Sequence, residues 1–189
     1  MSVDLPEVHA RSLASTRRFV AGIEDDQWSQ TSVDDEWTVR ELLNHVVTGN
    51  WWADELVGGK TIEEVGDRLD GDVLGDDPVA AYDASADAAS SAFSAPGAMD
   101  KPCAVSYEPV PGSVYCGHRF LDVLIHGWDL AKSTGQDPTL APELVEALFE
   151  IIEPQLDGLV ASGAFGTPQE VPPGADRQTQ LLAVLGRRA

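Results

Sequence analysis

The sequence predicts an all-α protein, a four-helix bundle with a few peripheral short helices and loops. Three observations support this fold class. Apolar residues recur at a spacing near 3.6 residues, several such stretches begin with a capping residue or a proline, and no stretch alternates convincingly between polar and apolar residues. A chain of 189 residues with 43% hydrophobic residues suits one domain. We therefore predict a single domain over 1–189, with a bundle core of 5–160 and a tail of 161–189 packed on it.

The first two predicted helices have clear start signals. Asp4 as N-cap and Pro6 just inside the first turn predict a helix over 5–23. Thr38 and Glu41 form a T-x-x-E capping box, flanked by Trp37 and Leu42 at the staple positions. This box predicts a second helix from 39 to 58.

The remaining chain combines helical stretches with loops rich in glycine and proline. Residues 96–111 contain too many prolines for a helix, so a loop with a short extended piece at 105–107 is predicted there. The further predicted helices are a short turn at 62–65, then 78–94, 115–133 and 142–160, and a short closing helix within 176–186.

The charge of the chain argues against two classes of partner. With 32 acidic and 12 basic residues, the formal net charge is -20. Such a surface repels phosphate backbones and anionic lipid headgroups, so we expect neither nucleic acid nor membrane as a partner. With no leader-like N-terminus and no long apolar run, the protein is expected to be cytoplasmic. Cys103 and Cys116 flank a Pro/Gly-rich segment that a disulfide could close, although free thiols are usual in a reducing compartment.

The predicted helix over 115–133 carries the most distinctive polar residues. Asp122, His126 and Asp129 are spaced i, i+4 and i+7, which places them on one helical face at successive turns. The surrounding residues are apolar, and burying a carboxylate beside an imidazole is costly unless each has a partner or a metal. The spacing therefore indicates either an intrahelical pair or half of a divalent-metal site.

A third metal ligand would come from one of the remaining histidines. His45 lies among apolar residues of the second predicted helix, and bundles build metal sites from inward-facing side chains of neighbouring helices. Three ligands with an open fourth position are typical of catalytic zinc. His118, four residues before Asp122, is an alternative ligand, and His9 is expected on the polar side of the first helix.

Four larger side chains are further candidates for a binding pocket. Trp52 follows His45 by two helical turns, so it could line a pocket above the metal, whereas core packing is the alternative for both Trp52 and Trp128. Arg40 and Arg119 could bind an anionic substrate group, or they could pair with surface carboxylates.

Two segments resemble a known family. W-T-V-R-E-L-L-N-H-V-V at 37–47 and L-D-V-L-I-H-G-W-D-L-A at 121–131 are similar to the DinB-like metalloenzyme superfamily, and within it to the mycothiol-dependent maleylpyruvate isomerase group. The closing segment 166–187 is similar to short, mostly uncharacterised members. The resemblance implies a four-helix bundle that binds a divalent metal, usually zinc, through His45, Asp122 and His126. The isomerase has a longer Glu where this chain has Asp122, and it has an additional C-terminal domain.

The resemblance also implies a chemistry. Family members of known activity use a low-molecular-weight thiol, such as mycothiol or bacillithiol, for isomerisation or S-transfer. A small-molecule thiol and an electrophilic substrate are therefore the expected partners. Asp129 could hydrogen-bond a metal ligand from behind, and helix capping or pairing with a loop is the equal alternative. The competing hypothesis is a non-catalytic helical binding or dimerisation module, including a homodimer, that has lost the chemistry.

Overall fold

The computed structural model describes residues 3–33, 37–162, 166–171 and 173–188. The chain divides into two compact units, one formed by residues 4–138 and one by residues 139–189 together with the first three residues. Within the described ranges, strands are limited to a two-stranded sheet and the other regular elements are helices, so the all-α prediction is confirmed. The organisation as one domain over 1–189 stays a prediction.

The larger unit contains the predicted bundle. Its described elements in chain order are α1 (Leu5–Ala21), α2 (Val39–Val57), α3 (Ile62–Val65), α4 (Pro78–Ser94), a 3-10 turn (Ala98–Asp100), β1 (Pro102–Ala104), β2 (Pro109–Pro111) and α5 (Gly112–Ser133). Helices α1 and α2 each pack against both α4 and α5, so the four long helices surround a common core. None of the described helices is both long and apolar enough to cross a membrane.

The predicted start signals of the first two helices are confirmed. The Asp4 carboxylate accepts a hydrogen bond from the Glu7 amide at 3.2 Å. At the start of α2, the Thr38 hydroxyl accepts from the Glu41 amide at 3.2 Å, and the Glu41 carboxylate accepts from the Thr38 amide at 2.8 Å. These bonds satisfy amide groups that the first turn of a helix leaves unpaired, so local sequence alone determines where α1 and α2 begin.

The loop predicted over 96–111 is wrong in its details. The extended residues form a hairpin, in which β1 and β2 pair antiparallel with Cys103 opposite Val110, whereas 105–107 form the connection. Prolines are tolerated here because each strand has a free edge that needs no ladder hydrogen bond. Helix α5 then begins at Gly112 rather than at the predicted residue 115. A Cβ at residue 112 would lie 2.0 Å from the carbonyl oxygen of Ala98, so only glycine fits there.

Both cysteines of this region are buried free thiols. Burial raises the pKa of the Cys116 thiol to about 12 and also raises the pKa of Cys103. The two side chains belong to one hydrophobic cluster with Tyr115 and Phe93. They therefore act as small apolar core residues that stay protonated.

The smaller unit is helical as well. It contains α6 (Pro142–Ile152), a 3-10 turn (Glu153–Gln155), α7 (Leu156–Ser162) and α8 (Arg177–Val184). The predicted continuous helix over 142–160 is interrupted at Pro154, because proline lacks the amide hydrogen and its ring clashes with the preceding turn. The closing helix is present, and α8 packs on α6 with the Arg177 guanidinium 3.8 Å from the centre of the Phe149 ring.

Helices α1 and α5 approach closely at one glycine. The Thr16 hydroxyl of α1 donates a hydrogen bond to the Val123 carbonyl of α5 at 2.9 Å. A Cβ on Gly127 would lie 2.2 Å from the Thr16 hydroxyl oxygen. The absence of a side chain at Gly127 is therefore a condition for this helix contact.

Replacing Gly127 by alanine should destabilise the bundle. Thr16 would have to move and lose its hydrogen bond, so we expect Gly127→Ala to lower the free energy of unfolding by about 1–2 kcal/mol despite the better helix propensity of alanine. Urea denaturation measures this change. The matched control is Gly158→Ala in α7, where a Cβ meets no atom within 4 Å, and which should be neutral or slightly stabilising. Equal stabilities of the two variants would contradict the close contact.

The sequence predicted His9 on the polar side of α1, and this prediction is wrong, because the side chain lies inside the bundle. It is 0% exposed, and its ring meets the Phe93 ring edge-on with centroids 5.0 Å apart. Among the described residues, neither ring nitrogen has a hydrogen-bond partner. Burial, aided by the positive charge of Arg119, lowers the pKa of His9 to about 3. The imidazole is therefore neutral in the folded protein at neutral pH.

This burial predicts a specific pH dependence of stability. The unfolded chain binds a proton at His9 below a pH of 6.5, whereas the folded protein does so only near 3, so stability should fall as the pH decreases through this interval. Replacing His9 by leucine should remove up to about 1.4 kcal/mol per pH unit from the slope of the free energy of unfolding. Denaturation of both proteins between pH 4 and about 7 measures the slopes. Identical slopes would mean that His9 binds its proton equally well in the folded and the unfolded chain, which would contradict the lowered pKa.

Candidate metal centre

Three predicted ligands from two helices come together at the α2–α5 contact. His45 projects from α2, and Asp122 and His126 project from α5. One ligand atom from each residue lies within 4.8 Å of the other two. Asp122 Oδ1 is 3.1 Å from His45 Nε2 and 3.5 Å from His126 Nε2. The i, i+4 spacing on α5 and the antiparallel packing of the bundle helices thus give one compact donor set.

The spacing of these atoms fits a small divalent cation. Zinc binds imidazole nitrogen and carboxylate oxygen at about 2.0–2.2 Å, so ligand atoms on a tetrahedral ion lie roughly 3.3 Å apart. The separations of 3.1 and 3.5 Å from Asp122 Oδ1 match this edge length. Two imidazoles and one carboxylate also form a donor set that zinc accepts while a fourth position stays free for another ligand.

Asp129 supports His126 from behind. Its carboxylate is 1% exposed, and Oδ2 lies 3.0 Å from His126 Nδ1. In a neutral His126 ring, a carboxylate at Nδ1 would favour the tautomer with the proton on that nitrogen, so that Nε2 is the nitrogen that could bind a metal. The structure therefore places Asp129 where a hydrogen-bonding residue behind the ligands was expected.

The centre is strongly polarised. Burial alone would raise the pKa of Asp122, but the nearby Arg119 and His126 hold it well below its usual range. Burial would lower the pKa of His126, whereas the carboxylates of Asp122 and Asp129 outweigh this effect and raise it to about 9. A metal ion that binds His126 Nε2 must therefore displace a proton, as is general for imidazole ligands.

Arg119 belongs to this centre, although surface pairing was the commoner expectation from the sequence. It is only 7% exposed, and its Nη1 donates to Asp122 Oδ2 at 2.9 Å. Its Nη2 donates to Asn50 Oδ1 at 3.3 Å and to the Val46 carbonyl at 3.4 Å. The available sequence signal was the i, i+3 spacing of an arginine and an aspartate within an otherwise apolar helix.

The aromatic neighbour of the centre is Trp37, not Trp52. The Trp37 ring stacks on His45 with centroids 4.9 Å apart and an interplanar angle of 29°, and it lies 6.1 Å from the His126 ring. Trp52 instead packs against the hydrophobic cluster that contains Cys103 and Tyr115. Seven helical residues separate Trp52 from His45, which is about 10 Å along the axis, so sharing a face does not bring the rings together.

The other predicted candidates have structural partners elsewhere. Trp128 is 2% exposed in the core, with the Lys132 ammonium 5.5 Å from its ring centre. His118 Nδ1 lies 3.2 Å from the hydroxyl of Tyr107 and is not part of the donor set found among the described residues. Core packing therefore accounts for Trp128.

Arg40 takes part in attaching a loop to α2. Its guanidinium donates to the Asp72 carboxylate at 2.8 Å and to the Gly75 carbonyl at 2.7 Å. The Asn44 amide donates to the Gly71 carbonyl of the same loop at 2.8 Å. Arg40 also lines a cleft of about 620 Å³ together with Trp28, Ser29, Thr38, Glu41, Asn44, Gly71 and Asp72.

The candidate centre opens to solvent on one side. The side chain of His45 is 38% exposed, that of Asp122 16% and that of His126 6%. A small molecule can therefore approach the donor set from the His45 side, while α5 closes the opposite side. Burial of two ligands and exposure of the third is the arrangement needed for an ion that binds an external ligand.

Comparison with known proteins identifies the family of the chain. Residues 9–131 match the family described as the mycothiol maleylpyruvate isomerase N-terminal domain. The chain belongs to this family. The matched range contains the three donor residues together with Arg119 and Asp129.

The curated relatives add similarity over nearly the whole chain. Two uncharacterised proteins of Mycobacterium tuberculosis, from strains CDC 1551 and H37Rv, are each 37% identical over 185 residues, which is 95% of this chain and 95% of theirs. No solved structure matches the chain. The family assignment thus comes from the sequence match, and the site geometry comes from the fold.

Removing the charge behind His126 should weaken metal binding without removing a ligand. In Asp129→Asn the Nδ1 partner becomes neutral, so we expect zinc affinity to fall about 10- to 100-fold. Competition with a chromophoric chelator measures this affinity. The matched control is Asp83→Asn, which removes the half-exposed partner of Arg17 on the surface. Equal losses in both variants would show that Asp129 has no specific role at the centre.

Proposed function

We propose that this protein is a divalent-metal-dependent transferase or isomerase that uses a low-molecular-weight thiol, with zinc as the metal and mycothiol as the thiol. The observation that carries the proposal is the convergence of His45, Asp122 and His126 within 4.8 Å. Membership of the mycothiol maleylpyruvate isomerase N-terminal domain family supports the choice of thiol.

The chemistry follows from the donor set. A zinc ion held by these residues would lower the pKa of a bound thiol, so that a nucleophilic thiolate is available near neutral pH. His45 from α2 and Asp122 from α5 would both bind the ion, and Asp129 would keep the proton of the neutral His126 ring on Nδ1. The exposed side of His45 leaves room for the thiol and for an electrophilic substrate.

The surroundings also suit a small polar ligand. Trp37 covers one face of His45 and provides an apolar wall beside the opening. Asp122 and Asp129 are each compensated by a cationic or hydrogen-bonding partner within the bundle. A thiolate that binds at the ion would therefore not be repelled by an unpaired carboxylate among these residues.

A second candidate function is a helical binding module without catalysis. The observation that favours it is that both oxygens of Asp122 have protein partners, Arg119 at Oδ2 and the two imidazoles at Oδ1. Such a centre could persist as a buried polar network alone. Metal uptake decides between the two functions.

Metal analysis of protein purified without a histidine tag tests the first premise. The proposal expects about one equivalent of a divalent metal, directly or after reconstitution with zinc. His126→Ala should lose the metal because Nε2 is a ligand, whereas the matched variant His118→Ala should retain it. Less than about a tenth of an equivalent in the wild-type protein after reconstitution would exclude metal-dependent catalysis.

Thiol binding tests the second premise. In protein loaded with cobalt(II), mycothiol should produce a thiolate-to-cobalt charge-transfer band, because its sulfur would take the open position. S-methyl mycothiol, which cannot form a thiolate, is the control ligand. A metal-loaded protein that shows no band with mycothiol would exclude the thiol-dependent mechanism and leave the metal site without this role.

A further inference from the structure

The two oxygens of Asp122 have different partners. Oδ1 faces the imidazoles of His45 and His126, whereas Oδ2 accepts a hydrogen bond from Arg119 Nη1 at 2.9 Å. A carboxylate can bind a metal through one oxygen or through both. Here one oxygen belongs to the donor set, and the other is held by a cation.

Helix α2 has a recess for the guanidinium of Arg119. A Cβ on Gly49 would lie 2.3 Å from Nη1 and 2.6 Å from Nη2, so any side chain there would displace the group. Beside this gap, the Val46 carbonyl, about one turn before Gly49, and the side chain of the next residue, Asn50, accept hydrogen bonds from Nη2. Residues 46, 49 and 50 share one helical face through their i, i+3 and i+4 spacing. The same helix therefore supplies the ligand His45 and the recess that fixes Arg119.

Stability alone does not explain why an arginine is buried here, because removing its charge from water costs free energy. Its side chain is 9% exposed, and Nε has no hydrogen-bond partner among the described residues. Well-packed apolar residues in place of a buried ion pair are often equally or more stabilising. A glycine gap and an asparagine hold this buried cation against one carboxylate oxygen, which points to a role at Asp122 beyond packing.

We propose that Arg119 is a positioning residue, which holds Asp122 as a one-oxygen ligand and thereby keeps a coordination position open for an external ligand. This inference rests on the proposed metal site. With Oδ2 engaged by Arg119, the two imidazoles and Oδ1 would supply three ligands to the ion and leave a further position for an external ligand. Without Arg119, Oδ2 is free to bind the ion as well, which raises the coordination number and fills the space that a thiol needs.

Cobalt(II) spectroscopy measures this directly, because four-coordinate cobalt(II) has intense visible d–d bands that weaken strongly as the coordination number rises. The probes are cobalt(II) and zinc alone, added to the full chain. In Arg119→Met we expect weaker visible bands than in the wild type, because Oδ2 would add to the coordination number. Arg17→Met, which makes the same substitution at an arginine of α1 that pairs with Asp83, is the matched control and should retain the wild-type bands.

A second variant tests the same idea without deleting the cation. Gly49→Ala leaves every charged group in place but displaces the guanidinium by its Cβ, so it should weaken the cobalt bands in the same direction. Circular dichroism confirms that each variant is folded, and Gly49→Ala serves as the test if Arg119→Met is not. Wild-type bands in a folded variant would overturn the positioning role while the metal site stands. A wild-type protein that binds neither ion would overturn the metal site and this inference together.

Discussion

The structure depends on one buried carboxylate at the contact between α2 and α5. Asp122 is 16% exposed, and a carboxylate so placed destabilises a protein unless its charge is compensated. Arg119 and the two imidazoles provide this compensation from both helices. The network therefore links α2 to α5 through His45 and Asp122, which are 77 residues apart in the chain. Loss of Arg119 would remove the cation that faces Oδ2 and leave the charge of Asp122 less well compensated, which costs more than the pair contributes.

The close packing of the bundle makes this network possible. Gly127 lets α1 approach α5, Gly112 lets α5 begin against Ala98, and Gly49 leaves space for the guanidinium of Arg119. At each of these positions a side chain would collide with the neighbouring group, so the close contact requires glycine. The bundle is thus closed on the α1 side and open at His45, where a small ligand can reach the donor set. An ion in this position would be rigidly held by α5 and accessible from α2.

Family membership and geometry contribute different parts of the functional proposal. The family match gives the connection to mycothiol chemistry. The geometry gives the donor atoms, the supporting carboxylate of Asp129 and the open side. Asp122 is shorter than the Glu expected in the isomerase, and its second oxygen is held by Arg119. The shorter side chain of Asp122, held at Oδ2 by Arg119, would present only Oδ1 to a metal ion.

The sequence by itself determined the features that depend on local interactions. The capping residues Asp4 and Thr38 fixed the helix starts, and the spacing of Asp122, His126 and Asp129 put them on one face, because such bonds and spacings involve residues within two turns. Only the tertiary structure decided the burial of His9 and Arg119, the stacking of Trp37 on His45, and the hairpin of β1 and β2. The physical reason is that these features depend on which helix faces become neighbours. The need for glycine at residue 49 of α2, for example, follows only from the packing of Arg119 of α5 against it.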